Sequence, residues 1–251
     1  MLKALIFDVD GTLADTEKDG HRVAFNEAFE EVGLDWHWSV ELYDKLLAVT
    51  GGKERMNYYL DNFNTEFERP QNLQDMIADL HKIKTRHYTE LLGKGAIPLR
   101  PGVKRLIDDA RAAGLRLAIA TTTTPENVTA LLENTLGKES IDWFEVIAAG
   151  DIVPAKKPAP DIYDWALAEM KLDAADCLAF EDSENGIKSS QGAHLKTIIT
   201  VNDYTLSHDF SGAAIVLDNL GEPGQPFSVM AGDANGKTYV DLEMLTQIHS
   251  A

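Results

Sequence analysis

Two hydrophobic patterns divide the chain. Leu2 to Val9 is a short apolar run that ends in acidic residues and glycine, the pattern of a strand buried on both faces of a parallel sheet. From Val103 onward the rhythm is regular. A helical stretch over Val103 to Ala113 stops at Gly114 and a strand follows over Leu115 to Thr121. Thr124-Pro125 then reads as an N-cap with proline at the first helical position. Strands are predicted at Val146 to Ala149, Cys177 to Phe180, Thr197 to Val201 and Ala214 to Leu217, with helices at Asp161 to Met170 and Glu184 to Ala193 between them. This βαβ repetition predicts an α/β fold built on a doubly wound parallel sheet.

Residues 16–96 have a different character, helix-rich and without a buried-strand run. Val23, Phe25, Ala28, Phe29 and Val32 give one helix face, and Met76, Ile77, Leu80, Ile83 and Tyr88 another. A structureless connection of that length would be exceptional inside a compact sheet. The predicted organisation is therefore an all-helical domain, 16–96, inserted into a discontinuous α/β core, 1–15 and 97–251. The tail from Asp218 carries Gly-Glu-Pro-Gly-Gln-Pro and then Asp233-Ala234-Asn235-Gly236 between short apolar runs, which reads as a hairpin.

Composition narrows the partners. With 44% apolar and 25% charged residues and no low-complexity tract, the chain is an ordinary folded protein. Its 41 acidic against 23 basic residues, net −18, repel phosphate backbones and anionic membranes, so neither nucleic acid nor a membrane is an expected partner. An anionic small molecule would need a local cluster of Lys and Arg. The start of the chain has no leader pattern and no stretch approaches membrane-span length, so a cytoplasmic location is expected, with a monomer as the expected state. Cys177, the single cysteine, reads as a buried core thiol. The seven histidines show no metal-type spacing, His81 and His87 lying six apart and off-face on a helix, so a transition-metal site is not expected.

The candidate chemistry starts where the first strand ends. If the strand stayed regular through Asp8-Val9-Asp10-Gly11-Thr12, Asp8 and Asp10 would share a face, and Gly11 would let the chain turn away. Two carboxylates at the C-terminal edge of such a sheet stand where ligands bind, and they need a divalent cation or a shared proton. Hard oxygen ligands favour Mg2+. Thr121, Lys157 and Glu181-Asp182 follow other predicted core strands. Singly, these residues read as a turn, a surface lysine and a helix start. Taken in order, they point to one pocket.

DVDGT, the threonine of AIATTTT, KKPAPDIY and FEDSENG resemble the four motifs of the haloacid dehalogenase-like hydrolases, and the helical insertion falls where that family places its type 1 cap. DTEKDGHRVAFNEAF, TGGKERM, HKIKTRHY and LRPGV are similar to the CbbY branch of sugar bisphosphate phosphatases. The resemblance implies a Rossmann-like core and an Mg2+-dependent phosphatase. Asp8 would be the nucleophile forming an aspartyl-phosphate, and Asp10 the acid and then base. Mg2+ would be held by Asp8, the Asp10 carbonyl and Asp182, with Glu181 beside them. Thr121 would bind a phosphate oxygen, with Thr122, Thr123 and Asn127 counted among the substrate contacts. Lys157, which directly precedes proline, would supply the positive charge, in preference to Lys156. The branch's substrate, xylulose-1,5-bisphosphate, is a Rubisco inhibitor, and the resemblance implies it here.

Within the insertion, Thr50-Gly51-Gly52-Lys53-Glu54-Arg55 puts glycines before a helix start carrying two cations, a second phosphate site or simply a solvated helix start. His81, Lys82 and Lys84 form another basic stretch similar to a substrate-contacting one. Glu17 matches a ligand position of the branch, whereas Tyr43 reads as packing. Two anion pockets would measure a bisphosphate. The rivals are a β-phosphoglucomutase-like phosphomutase, in which His21 and the cap lysines would serve equally, and a receiver-like phospho-acceptor domain.

Overall fold

The computed structural model describes residues 1–251. β1 (Ala4–Phe7) is followed by four helices, α1 (Arg22–Glu31), α2 (Val40–Leu46), α3 (Gly52–Asn62) and α4 (Leu73–Gly93). The rest of the chain runs α5 (Val103–Ala112), β2 (Arg116–Thr121), α6 (Pro125–Leu136), β3 (Val146–Ala149), α7 (Asp161–Met170), β4 (Cys177–Glu181), α8 (Glu184–Gly192), β5 (Lys196–Thr200), β6 (Ile215–Leu217), β7 (Val229–Ala231) and α9 (Leu242–Ser250). The predicted strands and core helices all form, with ends shifted by a few residues.

The seven strands make one sheet in the order β3-β2-β1-β4-β5-β6-β7, parallel except for β7. β1 is central. Its Phe7 aligns with Ile119 of β2 and Phe180 of β4, so the C-terminal ends of three adjacent strands lie side by side. One apolar layer, with Leu5, Phe7, Leu106, Leu131 and Leu245, covers one face of the sheet, and a second, with Ile6, Ala118, Ile162, Tyr163 and Met170, covers the other. Cys177 lies in the second layer, fully buried.

The four helices after β1 pack on a core of their own, in which Phe25, Phe29, Trp36, Trp38, Tyr43, Met56 and Leu80 interlock. The buried face of α1 is Ala24, Phe25, Ala28 and Phe29; Val23 is only half-buried and Val32 is exposed, because α1 stops at Glu31 and the chain turns off. Ala14 and Leu99 meet in an antiparallel bridge where the chain leaves the sheet and where it returns.

Two expectations are met with differences in detail. Thr124 occupies the N-cap position of α6, but its side chain makes no capping bond and its hydroxyl is buried without a partner. The tail does turn back as a hairpin, about Gly221-Glu222-Pro223-Gly224-Gln225-Pro226: β7 pairs antiparallel with β6 and Glu222 bridges Gln225, whereas Asp233 to Gly236 makes only a turn, beyond which Phe227 N donates to the Thr238 carbonyl at 2.9 Å. Beyond it Val240, and Met244 and Leu245 on α9, are buried. Asp241 caps α9 by accepting from Met244 N.

Candidate active site

β1 ends at Phe7, so Asp8 and Asp10 lie in the turn beyond the strand, where the pleat does not fix a shared face and their carboxylates take different partners. Asp8 N donates to the Phe180 carbonyl at 3.0 Å, which ties the turn to β4. Gly11 has φ +82°, and a Cβ there would collide with the Asp182 carboxylate. Gly186, in the first turn of α8, would likewise strike Glu181. Ser183 caps α8 by accepting from Gly186 N, which satisfies a backbone donor at the helix start behind the site.

Lys157 arrives from the irregular loop after β3. Its ammonium spends all three donors, on Asp8 Oδ1 (2.6 Å), Glu181 Oε1 (2.6 Å) and the Ala120 carbonyl (2.9 Å). The preference for Lys157 over its neighbour agrees with this geometry, since Lys156 turns outward to Glu54 and Asp151. Tyr163 also donates to Glu181 Oε1, at 2.5 Å, while Glu181 Oε2 is buried without a partner. Carboxylate oxygens of Asp8, Glu181 and Asp182 lie within 4.8 Å of one another. Asn202, just beyond β5, donates to Asp182 at 2.7 Å. The Asp10 carboxylate stands apart from this cluster.

Asp10 Oδ1 accepts from the Thr16 hydroxyl at 2.6 Å and faces His21 Nε2 at 2.8 Å; Lys84 Nζ meets the other ring nitrogen at 2.7 Å. A Lys84 ammonium donates to Nδ1, so Nε2 carries the hydrogen and donates to Asp10. Burial opposes ionisation of Asp10, yet His21, Thr16 and Lys84 together hold its carboxyl well below the usual range. Asp8 goes the other way: burial, helped by Glu181 and Asp10, outweighs Lys157 and pushes it up to about 7. Burial, then Asp8 and Glu181, raises Asp182 well above its ordinary value.

Such crowding has a measurable consequence in protein stripped of divalent metal. A carboxyl whose folded pKa exceeds its unfolded one binds more protons when folded, so its favourable contribution is present at low pH and lost as pH rises through the folded value. Asp182→Asn is therefore expected to raise the melting temperature at about pH 8, with a gain that shrinks toward about pH 5. Melts in chelator across that range check it; a gain growing toward acid would contradict the sign.

Two cavities, of about 480 and 450 Å3, lie between the helical insertion and the sheet edge, and Asp10, Glu17, Arg55 and Thr122 line both. Asp8, Thr50, Thr121, Lys157, Glu181 and Asp182 line the inner one; Gly51, Gly52, Lys53, His81, Lys84, Thr123 and Asn127 line the outer one. Thr50, Gly51, Gly52, Lys53 and Arg55 thus line the cavities. Arg55 is buried, donating to Tyr43 Oη at 2.6 Å with Glu17 at 3.5 Å, and Tyr43 donates to Glu17 at 2.5 Å. Tyr43 accordingly packs in the helical core and also holds these two polar residues. Asn127 donates to Thr123 Oγ1 at 2.9 Å, and its carbonyl oxygen is buried and unpaired. Burial first, then Lys84, Lys53 and Lys156, pushes His81 down to about 3.

Lys82 is the exception and corrects the expectation for the basic stretch. It is 76% exposed and pairs with Asp79, on the outer side of α4. The buried stripe of that helix is Ile77, Leu80, Lys84 and Tyr88; with 3.6 residues per turn, Lys82 falls off it. Sequence reading passed over Thr16, Tyr163 and Asn202, although Asn202 follows a strand end just as the chosen residues do.

This fold and site define a phosphatase: the chain belongs to the haloacid dehalogenase-like hydrolases, whose family model matches residues 2–194. More particularly, it is of the CbbY type. It is 55% identical to the CbbY protein of Rhodobacter capsulatus over 84% of this chain and 91% of that one, and 50% identical to the plasmid CbbY protein of Cupriavidus necator over 90% and 88%. The crystal structure of a CbbY variant from Rhodobacter sphaeroides in complex with xylulose-1,5-bisphosphate superposes with a TM-score of 0.83 at 46% identity, covering 89% of this chain and 97% of that one. No helix here is long and apolar enough to cross a membrane.

Proposed function

We propose that the protein hydrolyses a sugar bisphosphate, xylulose-1,5-bisphosphate, through an aspartyl-phosphate on Asp8. The observation that carries this reading is the pair of joined cavities, an inner one holding Asp8 and Lys157 and an outer one lined by Lys53, Arg55, Lys84 and Lys156 in a chain of net charge −18. A ligand with an anion at each end fits both. The relatives named above support the substrate. Residues 16–96 act as a cap over the core formed by 1–15 and 97–251.

Asp8 and Asp182 would hold Mg2+, with Glu181 behind them holding Lys157; three crowded buried carboxylates against one ammonium, all hard oxygen donors, fit such an ion. When bound, the ion supplies charge neutralisation between the carboxylates and the incoming phosphate. Lys157 orients Asp8 Oδ1 and offsets its charge, so that the other oxygen can attack phosphorus. Thr121, at the end of β2, donates to a phosphate oxygen. His21, Thr16 and Lys84 favour the Asp10 carboxylate in the free protein; an arriving phosphate dianion raises its pKa so that it takes up a proton from solvent, and it would give that proton to the leaving sugar oxygen as the P–O bond breaks. Once the sugar leaves, the same carboxylate takes a proton from water attacking the aspartyl-phosphate. His21 and Thr16 keep it aimed throughout.

A phosphate-release screen over sugar mono- and bisphosphates with Mg2+ tests the reading. The expected result is greatest kcat/KM on xylulose-1,5-bisphosphate; isomerised hexose phosphate without net phosphate release would replace it with the mutase. Chelation of Mg2+ is expected to cut turnover by about a thousandfold or more, restored on adding the ion back. Arg55→Ala is expected to raise KM for the bisphosphate about tenfold or more, the worth of a charged hydrogen bond, with less change for a monophosphate. An unchanged bisphosphate KM would remove Arg55 from the distal pocket.

A further inference from the structure

Lys157 is held firmly at its ammonium, but its backbone lies in the irregular loop between β3 and α7. The Lys157 carbonyl accepts a hydrogen bond from the hydroxyl of Thr50, a residue of the helical insertion. Around that contact a chain of alternating charges ties the same two segments. Lys53 pairs with Asp151 at 2.5 Å, Asp151 with Lys156 at 2.9 Å, and Lys156 with Glu54 at 2.9 Å. Asn185 on α8 donates to the Ala48 carbonyl at 3.3 Å on the other side. The segment from Ala48 to Glu54 thus docks on the loop that carries Lys157.

We propose that Thr50 is a positioning residue, which couples seating of the cap to the placement of Lys157 against Asp8. The proposal rests on the reading of Asp8 as nucleophile and deepens it. With the cap lifted, the Lys157 carbonyl loses the Thr50 donor and the charge chain opens, so the loop is free to shift and the ammonium with it. A substrate whose distal phosphate engages Lys53 and Arg55 holds the cap down and so also holds Lys157 in place. Binding energy from the unreactive end of the substrate is thereby realised in kcat as well as in KM. A monophosphate that fills only the inner cavity forgoes that gain.

The test compares Thr50→Val, which keeps shape and loses the hydroxyl, with Thr50→Ser, which keeps the hydroxyl. Thr50 is half-buried at the cavity wall, and melting temperatures of both variants establish that they fold. Thr50→Val is expected to lower kcat about three- to tenfold, the range of one hydrogen bond, with a smaller change in KM. Thr50→Ser is expected to retain most of the wild-type kcat. Without substrate, backbone amides of residues 151–157 should exchange hydrogen faster in Thr50→Val and at the wild-type rate in Thr50→Ser. The proposal is overturned by an unchanged kcat in Thr50→Val, by a rise in KM alone, which would make Thr50 a substrate contact, or by equal losses in both variants. These comparisons are made on whichever phosphate ester the wild type turns over best. Wild-type inertness toward all such esters would sink the phosphatase reading, whereas normal wild-type turnover with an unaffected Thr50→Val sinks only the coupling.

Discussion

Asp8→Asn is expected to abolish phosphate release, lowering kcat about ten-thousandfold or more while leaving the fold intact. The amide lacks the anionic oxygen that would attack phosphorus, so the loss falls on the chemical step. Folding should not suffer. The substitution removes one of three buried carboxylates that crowd within 4.8 Å of one another, and Lys157 keeps Glu181 and the Ala120 carbonyl. The metal-free variant should melt no lower than wild type at neutral pH, because Asp8, pushed up to about 7, contributes little favourable ionisation there. Single-turnover assays and thermal melts on the same preparation check both halves. A rate near wild type would eliminate the nucleophile.

Lys157→Met should combine the largest loss of stability with a loss of activity. The ammonium is buried, and it is the cation bonded to both Asp8 and Glu181. Removing one partner of a buried charged group leaves the others uncompensated, at about 3–5 kcal/mol. Turnover should fall about a hundred- to a thousandfold, since a preorganised charge is missing where negative charge gathers. The stability deficit has a defined pH dependence. Burial opposes the lysine's charge, but Asp8 and Glu181 more than offset it, so the folded ammonium keeps its proton well beyond neutral pH. In the variant, carboxyls with raised pKa take up protons on acidification, so the deficit should narrow from about pH 8 to about pH 5. Denaturant titrations without metal at the two pH values measure it; equal stability of variant and wild type at the higher pH would contradict the assignment of Lys157 as the counter-ion.

The core of this site was readable because its residues follow strand ends. A buried parallel strand writes itself as a short apolar run, and whatever polar residue follows β1, β2 or β4 must emerge at one edge of the sheet. Asp8, Thr121, Glu181 and Asp182 fit that rule, although singly they also read as turns and a helix start and only their order along the chain joined them. Lys157 reaches the edge by way of the loop after β3, and its choice over Lys156 rested on the motif KKPAPDIY. The cap was read less well. His81, Lys82 and Lys84 look alike as a basic stretch, yet only His81 and Lys84 turn inward, and the periodicity that makes Lys84 part of the stripe with Leu80 and Tyr88 was available in the sequence. The tail hairpin forms about Gly-Glu-Pro-Gly-Gln-Pro and not about Asp233 to Gly236, beyond which Val240 and Leu245 are buried in the core layer instead.

Local order in the chain was enough to dictate the layered sheet, the helical insertion and the carboxylates at the central strand's end, because each depends on a short-range pattern or on direct adjacency to a strand. Tertiary packing alone split the two aspartates into different electrostatic roles, placing Asp8 among Lys157, Glu181 and Asp182 and Asp10 between Thr16 and His21, the last in turn against Lys84. It also laid Thr50 on the backbone of Lys157, 107 residues away. Burial and Coulomb interactions act through distances that sequence separation does not encode, so proximity of groups from the cap, the turn after β1 and the loop after β3 emerges only when the chain is folded.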